Sequence, residues 1–469
     1  MKKSTSVLFL LLLLCLCGRS QTVPAKLDSM LNRTLDSMLI VVNAKGFGAA
    51  VQLPNGAVWA NGAGISSANP LEKIGDDHAF NIGSVTKTIT AASILQLADE
   101  GVLSLDDGLH EWLDTFQYIN PNITIRQLLR HQSGIYDVIT NPNAQPAWLQ
   151  NPDSIWRQED IIKTFIRPPL FQPGANFSYS NTNYLLLGLI IEAASGKPYY
   201  QEARDRFFTP LGLGTISAPP LEPQPPTIAH LWLDLNGDGQ AEDAHDFFSN
   251  WHSFATAGGA AGIYYSTPSD MARWMRTYMS GTLLSPDMMA QLKTTVSTPF
   301  NGGTRYGLGI MERNFQTYKG FGHGGDAGYS ASVWYFPAQD VSVAVLNNDG
   351  RRNSWTLAPV VLALLKTYIA CTTMVSASDL ATAEPMRIFP NPFSDAVQIS
   401  VNLPTDVADA QVVLTNALGQ RVAATDISSP AAGEQVLQLP SLQKLPAGLY
   451  SATLVLDGKA ANTAKIVKH

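Results

Sequence analysis

The sequence predicts an α+β domain built on an antiparallel sheet, followed by a small all-β sandwich. Three features lead there. A strand-turn-strand pattern near residue 50 precedes a long stretch of helical patterns, after which strands return. Beyond residue 386, short period-two segments recur between turn signals. Between the two regions, from Cys371 to Pro385, periodic apolar sequence gives way to Ser, Thr, Ala and Asp, which reads as a linker over residues 371–385. A chain of 469 residues accommodates two or three domains, and its 45% apolar, 15% charged composition excludes disorder throughout.

Residues 1–20 read as a signal peptide. Lys2 and Lys3 precede an apolar run from Val7 to Cys17, and Gly18-Arg19-Ser20 supplies small residues for cleavage. That run is short of the ~20 residues a spanning helix needs, so no stable membrane insertion is expected. Removal of this segment leaves Cys371 as the one cysteine, so no intramolecular disulfide can form. Residues 21–386 carry 22 basic and 32 acidic side chains, whereas residues 387–469 carry six of each. No Lys/Arg run stands out, and nucleic acid is excluded as a partner on electrostatic grounds.

Leu27, Leu31, Leu35, Met38 and Leu39 recur at helical spacing. Ala49 to Leu53 and Val58 to Ala60 flank Pro54-Asn55-Gly56, a hairpin turn. A helix beginning around Ser84 runs through Ile89, Ile94, Leu95 and Leu97 to a stop at Gly101. Strands over Ser330 to Phe336 and Val341 to Leu346, then a helix from Leu357 to Tyr368, close the domain. Strands at both ends of this region imply a sheet assembled from both chain ends. In the tail, strands are expected at Ala396 to Leu403, Gln411 to Thr415, Gln435 to Leu439, Leu449 to Leu456 and Ala464 to Val467, with turns at 416–419 and 457–459.

Chemistry first shows at Ser84-Val85-Thr86-Lys87. Three residues apart at a helix start, the hydroxyl and the amine share one face, so a nucleophile stands beside a base, and the helix N-terminus favours an oxyanion. The same spacing fits a Ser N-cap followed by a solvated Lys, and Ser441 to Lys444 repeats it. In Tyr179-Ser180-Asn181 a phenol and an amide two apart project to one side of an extended segment after Pro173-Gly174. Tyr118 to Asn120 repeats this spacing without the Pro-Gly turn. Gly322-His323-Gly324-Gly325-Asp326, before the strand from Ser330, lets a substrate backbone approach a sheet edge.

In this order the three elements resemble the serine hydrolases of the penicillin-binding protein and class C β-lactamase superfamily. Ser84-Val85-Thr86-Lys87 matches S-x-x-K, Tyr179-Ser180-Asn181 matches Y-x-N, and His323-Gly324-Gly325 matches the H-x-G variant of K-T-G. Leu128 to Ile135, Tyr184 to Gly188 and Gly262 to Ala272 agree with it, and the likeness spans roughly residues 30–370. The resemblance implies a sheet flanked by helices with a helical subdomain, and acyl transfer through a covalent intermediate on a small peptide or ester. Ser84 would attack, Lys87 and Tyr179 would share the base and acid roles, and Asn181 would position substrate. His323, Gly324 and Gly325 would line the substrate edge, with the Ser84 and Asp326 N–H groups as the oxyanion hole. Neither metal nor other cofactor enters this scheme.

His323 stands where K-T-G enzymes carry a Lys. With an unperturbed pKa of about 6.5 it is partly charged and would clamp a carboxylate more weakly. This implies a D,D-carboxypeptidase, D-aminopeptidase or esterase, with a true β-lactamase and an inactive penicillin-recognising scaffold as alternatives. His131 reads as a helix-terminating, hydrogen-bonded histidine. Asp234 to Gln240, with Glu242, imitates the first half of a calcium loop, but position twelve is His245, and a polar surface loop is expected.

In the tail, Arg387 to Phe393, Leu418-Gly419-Gln420, Leu445 to Tyr450 and Lys465 to Lys468 resemble the C-terminal sorting domain of the type IX secretion system. This implies an immunoglobulin-like sandwich over residues 386–469. It also implies that secretion machinery is a partner, with export through the periplasm to the surface or medium.

Overall fold

The computed structural model describes residues 22–248, 250–379, 386–403, 407–416, 421–427, 433–439, 442–457 and 459–468. The proposed signal peptide, Ser441, and most of the turn residues at 416–419 lie outside these. The chain divides into two compact units, residues 1–367 and 368–469.

In the first unit, helix α1 (Ala25–Val42) buries Leu27, Leu31 and Leu35 and ends at Asn43 in a left-handed conformation. Strands β1 (Gly46–Gln52) and β2 (Val58–Ala68) form the expected hairpin, its turn closed by Leu53 N–H to the Ala57 carbonyl at 2.8 Å and Ala57 N–H to Asn55 Oδ1 at 3.0 Å. With β3 (Leu71–Lys73), β4 (Val296–Ser297), β5 (Arg305–Tyr306), β6 (Met311–Phe315), β7 (Tyr318–Ala327), β8 (Tyr329–Phe336) and β9 (Val341–Asn347) they make a nine-stranded sheet. Its order is β3-β2-β1-β9-β8-β7-β6-β5-β4. β1 pairs antiparallel with β9 from Phe47↔Asn347 to Gln52↔Ser342, so the two ends of the domain meet at the sheet centre. Every residue of β8 and β9 is buried, which explains their near-continuous apolar sequence.

A helical subdomain packs beside the sheet: α2 (Thr86–Asp99), α3 (Ile125–Leu129), α4 (Asn181–Ser195) and α5 (His252–Gly262). α2 is buried almost all round, from Thr86 to Leu95 without interruption. A helix over Pro268–Met279 covers β1, β8 and β9, its Trp274 indole donating to Thr88 Oγ1 at 2.8 Å. The final helix runs over Ala358–Asp379, well past Tyr368 and into the segment expected to be a linker. Between Pro359 and Pro385 the sequence holds neither Pro nor Gly, so nothing local stops it there.

The second unit holds two antiparallel sheets. One is Arg387–Phe389, Val397–Leu403 and Gly433–Leu439; the other is Arg421–Asp426, Ala410–Asn416, Gly448–Leu456 and Lys459–Lys468. Their inner faces share a core of Val397, Ile399, Val401, Val412, Leu414, Ala452, Leu454 and Ile466, each at alternate positions. All five expected tail strands are present; Arg387–Phe389 and Arg421–Asp426 were not foreseen.

One register detail builds the cleft. β6 pairs with β7 only from Phe315↔Tyr318 to Met311↔Gly322, so His323 to Ala327 extend beyond β6 with that edge free of a strand partner. This free half of β7 lies against the turn Gly83–Val85 that precedes α2. The approach is tight because Gly325 lacks a side chain: a Cβ there would sit 2.0 Å from the Ile82 carbonyl oxygen and 2.9 Å from the Ser84 nitrogen. Gly325→Ala is therefore expected to lower stability by about 1–3 kcal/mol, measured by denaturant unfolding. Gly214→Ala, with nothing within 4 Å of the added methyl, should leave stability unchanged; equal effects of the two would contradict this packing.

Candidate active site

The position of Ser84, the candidate nucleophile, follows from local bonding. Phe80–Asn81 pairs with Tyr265–Ser266, and Asn81 Oδ1 accepts from Gly83 N–H at 2.7 Å, setting the 3₁₀ turn that carries Ser84. The α-helix proper begins only at Thr86, two residues later than the sequence suggested. Lys87 is fully buried, and its Nζ lies 3.0 Å from Ser84 Oγ, 2.7 Å from Asn181 Oδ1 and 2.9 Å from the Ala261 carbonyl. That carbonyl is available because the helix ends at Gly262 and the Tyr265 N–H, one turn on, donates instead to the Ser217 carbonyl at 2.8 Å. Burial pulls the Lys87 amine down from 10.5 to about 7, opposed by the Asp137 charge.

Tyr179 and Asn181 flank Ser180, whose φ of −143° and ψ of 120° are extended, so both side chains point into the cleft as the spacing predicted. Burial holds the Tyr179 phenol well above the usual range, against the lowering influence of the nearby Ser84 hydroxyl. Beyond the substrate-positioning role expected of it, Asn181 links two charged groups: its Oδ1 accepts from Lys87, and its Nδ2 donates to Asp137 Oδ2 at 2.9 Å. Asp137 escaped sequence analysis; it lies three residues past the Gln132-Ser133-Gly134 turn and carries no motif of its own.

His131 is buried and hydrogen-bonded as expected, in a left-handed conformation (φ 54°) after α3. It anchors the Tyr179 segment. Its carbonyl accepts from Ser178 N–H at 2.9 Å, its Nδ1 accepts from Ser180 N–H at 3.1 Å, and its ring stacks on Tyr179 at 4.2 Å between centroids. Because Nδ1 is an acceptor, Nε2 carries the proton and donates to the Tyr306 hydroxyl at 3.2 Å.

His323 corrects the sequence-based expectation of partial charge. It is fully buried, with Nδ1 donating to the Gly324 carbonyl at 2.5 Å and Nε2 accepting from Tyr306 at 2.9 Å. Burial, then the Lys87 charge, push its pKa down to about 3, so the imidazole is neutral at physiological pH. Both nitrogens are occupied, and the ring offers a substrate carboxylate no cation. The Asp326 carboxylate turns away to accept from Ser354 N–H and Oγ–H, each at 2.7 Å, leaving its backbone to the cleft.

Two cavities meet at Ser84, Asn181 and Asp326. The larger, about 800 Å³, is walled by Trp148, Leu149, Leu233, Phe248, Trp251 and Phe254. The smaller, about 280 Å³, holds Tyr179, His323, Phe300, Trp355 and Arg313. Arg313, on β6 opposite Gly320, lies over the rings of Trp355 and Phe315 at 4.6 and 5.0 Å, and makes no hydrogen bond or ion pair among the described residues. No sequence signal marked it: it is one basic residue in a short strand. The Asp234 loop is a surface loop whose carboxylates bond its own amides: Asp234 accepts from Gly237 and Gly239, and Asp238 from Gln240.

The family described as Beta-lactamase matches residues 33–363. The chain belongs to the β-lactamase family. Residues 387–469 match a secretion system C-terminal sorting domain. Penicillin-binding protein 4* of Bacillus subtilis is 35% identical over 139 residues, a match spanning 29% of each chain, so the chain spans under a third of that relative's length. The D-alanyl-D-alanine-carboxypeptidase/endopeptidase AmpH of Escherichia coli is 28% identical over 211 residues, covering 44% of this chain and 50% of that one. A D-stereospecific amidohydrolase structure from a Streptomyces species superposes with a TM-score of 0.62 at 28% identity, covering 71% of this chain and 98% of the other. The β-lactamase-family domain is thus a serine hydrolase by kinship, with an α+β fold shared by those relatives.

If Lys87 is the base, kcat/KM for an activated ester should rise with pH through a limb near 7. Asp137→Asn removes the negative charge that favours the ammonium, so the limb should move to lower pH. A limb that stays in place or moves upward in the variant would contradict the assignment; pH-rate profiles of both proteins decide it.

Proposed function

We propose that this protein is an exported serine peptidase of the D,D-carboxypeptidase type, releasing a small leaving group that ends in a carboxylate. The observation that carries this reading is the unpaired Arg313 guanidinium in the Tyr179 cavity. A proton donor to the leaving nitrogen belongs where the phenol is, so the leaving group occupies the smaller cavity and the acyl group the larger, apolar one. Arg313 there supplies the positive charge that neutral His323 lacks, and a planar guanidinium suits bidentate recognition of a carboxylate.

In this mechanism the neutral Lys87 amine gives its two N–H groups to Asn181 Oδ1 and the Ala261 carbonyl, both acceptors. Its lone pair is left for the Ser84 hydroxyl proton. Ser84 Oγ bonds to the carbonyl carbon, and the oxyanion is met by the Ser84 and Asp326 N–H groups. The proton then passes through the Tyr179 hydroxyl to the leaving nitrogen as the C–N bond breaks. Water attacks the acyl-Ser84 ester with the same groups acting in reverse. The raised phenol pKa supports Lys87, rather than Tyr179, as the first base.

Arg313→Gln should lower kcat/KM about 10–100-fold on a D-alanyl-D-alanine-terminated peptide, the loss of one charged hydrogen-bonded contact, with little change on a short p-nitrophenyl ester. Equal losses on both substrates would remove the clamp. Nitrocefin turnover above that of the peptide would replace the reading by a β-lactamase. The sorting-domain match supports export, by a type IX route through the periplasm; truncation after Glu384 should leave the hydrolase inside the cell, and undiminished secretion would overturn that role.

A further inference from the structure

Beside the larger cavity stands a cluster with no part in this chemistry. Trp232–Leu233 and Glu242–Asp243 form a short hairpin, with Trp232 opposite Asp243. His230 precedes it and His245 follows it. His230 Nδ1 donates to Asp243 Oδ2 at 2.8 Å, and His245 Nδ1 lies 3.6 Å from Asp243 Oδ1. The two imidazoles are stacked, 4.0 Å between centroids and 13° between planes. Asp243 is buried and held in place, its Oδ1 accepting from His245 N–H at 3.0 Å.

We infer that His230, Asp243 and His245 form a transition-metal site, suited to zinc, that ties the two ends of this hairpin together. Two imidazole nitrogens and one carboxylate are a zinc-type donor set, unlike the all-oxygen sets calcium and magnesium select. One ligand atom from each residue lies within 4.8 Å of the other two, and tetrahedral coordination with bonds of about 2.0–2.1 Å requires about 3.3 Å between ligands. The imidazoles close that gap by rotating out of their parallel stack, so that their lone pairs converge on the ion. On binding, the His230 ring carries its proton on Nε2 and offers Nδ1 to the ion, and the carboxylate exchanges its hydrogen bond from Nδ1 for a metal bond. Both histidine side chains are about one-third exposed, which leaves an entry path and room for water as a further ligand.

The site would act on the cavity wall. Leu231, Leu233, Asp234 and Leu235, on and beside this hairpin, line the larger cavity. A metal joining the residues before and after the hairpin would restrain that wall without touching Ser84.

The test uses the full chain after chelator treatment, titrated calorimetrically with zinc, cobalt(II) and calcium. Zinc should bind one per chain, cobalt(II) should give the visible absorption of a tetrahedral N/O site, and calcium should not compete. His245→Gln, a partly exposed position that should fold normally, and the near-isosteric Asp243→Asn should each weaken zinc binding at least tenfold. Zinc should also slow proteolysis between Asp234 and Gln240 in the parent chain and not in the variants. No zinc binding tighter than about 100 μM, binding undiminished in both variants, or preference for calcium would overturn the inference. These readouts do not depend on hydrolysis, so failure of the peptidase reading leaves them intact.

Discussion

The burial of one amine governs this active site. Lys87 sits in the wholly buried stretch of its helix, Thr86 to Leu95, and a charged ammonium there costs more than two neutral acceptors and one hydroxyl return. Much of the surrounding architecture sets that environment. The end of the helix at Gly262 leaves the Ala261 carbonyl free, the His131 loop holds the segment bearing Asn181, and the negative charge of Asp137 moderates the loss of charge. The amine is thereby kept partly neutral near pH 7 and 3.0 Å from Ser84 Oγ, as the proposed base role requires.

The sheet supplies the other half of the device. β7 outruns β6 by the five residues His323 to Ala327, leaving a strand edge beside Ser84. An extended peptide can add there as a further strand, with main-chain hydrogen bonds fixing its carbonyl near Ser84. The cleft is asymmetric about that point. A large aromatic-walled cavity opens on one side, and on the other a smaller one carries the phenol and a guanidinium without a counter-ion. In the proposed reaction this division separates what stays on the enzyme from what leaves it.

Much of this was legible in the sequence, for identifiable reasons. Ser84 and Lys87 are locked together by helical spacing, and Tyr179 and Asn181 by extended spacing; such local geometry survives in a one-dimensional reading. Gly325 was legible because close backbone approach leaves few alternatives to glycine. Asp137, Tyr306 and Arg313 were not, since each reaches the site from a distant segment with no periodic or motif signal. The charge on His323 was misjudged for a related reason: its basicity is set by burial and by the charge of Lys87, far away in the chain, and neither shows in the neighbouring residues. The final helix ran past its expected end because a shift in composition to Ser, Thr, Ala and Asp, without Gly or Pro, is a weak stop signal. The hairpin with His230, Asp243 and His245 was obscured by the calcium-like loop at its tip, which drew attention to oxygen ligands already bonded to their own backbone.

The central claim is that Lys87 is the base because its surroundings strip it of charge. An NMR titration of the folded chain carrying ¹³Cε-labelled lysine, with the Lys87 resonance assigned through a Lys87→Arg variant, reads this directly. The account predicts one lysine titrating near pH 7. A Lys87 signal that remains that of a charged ammonium up to about pH 10, the range of an ordinary lysine, would contradict it.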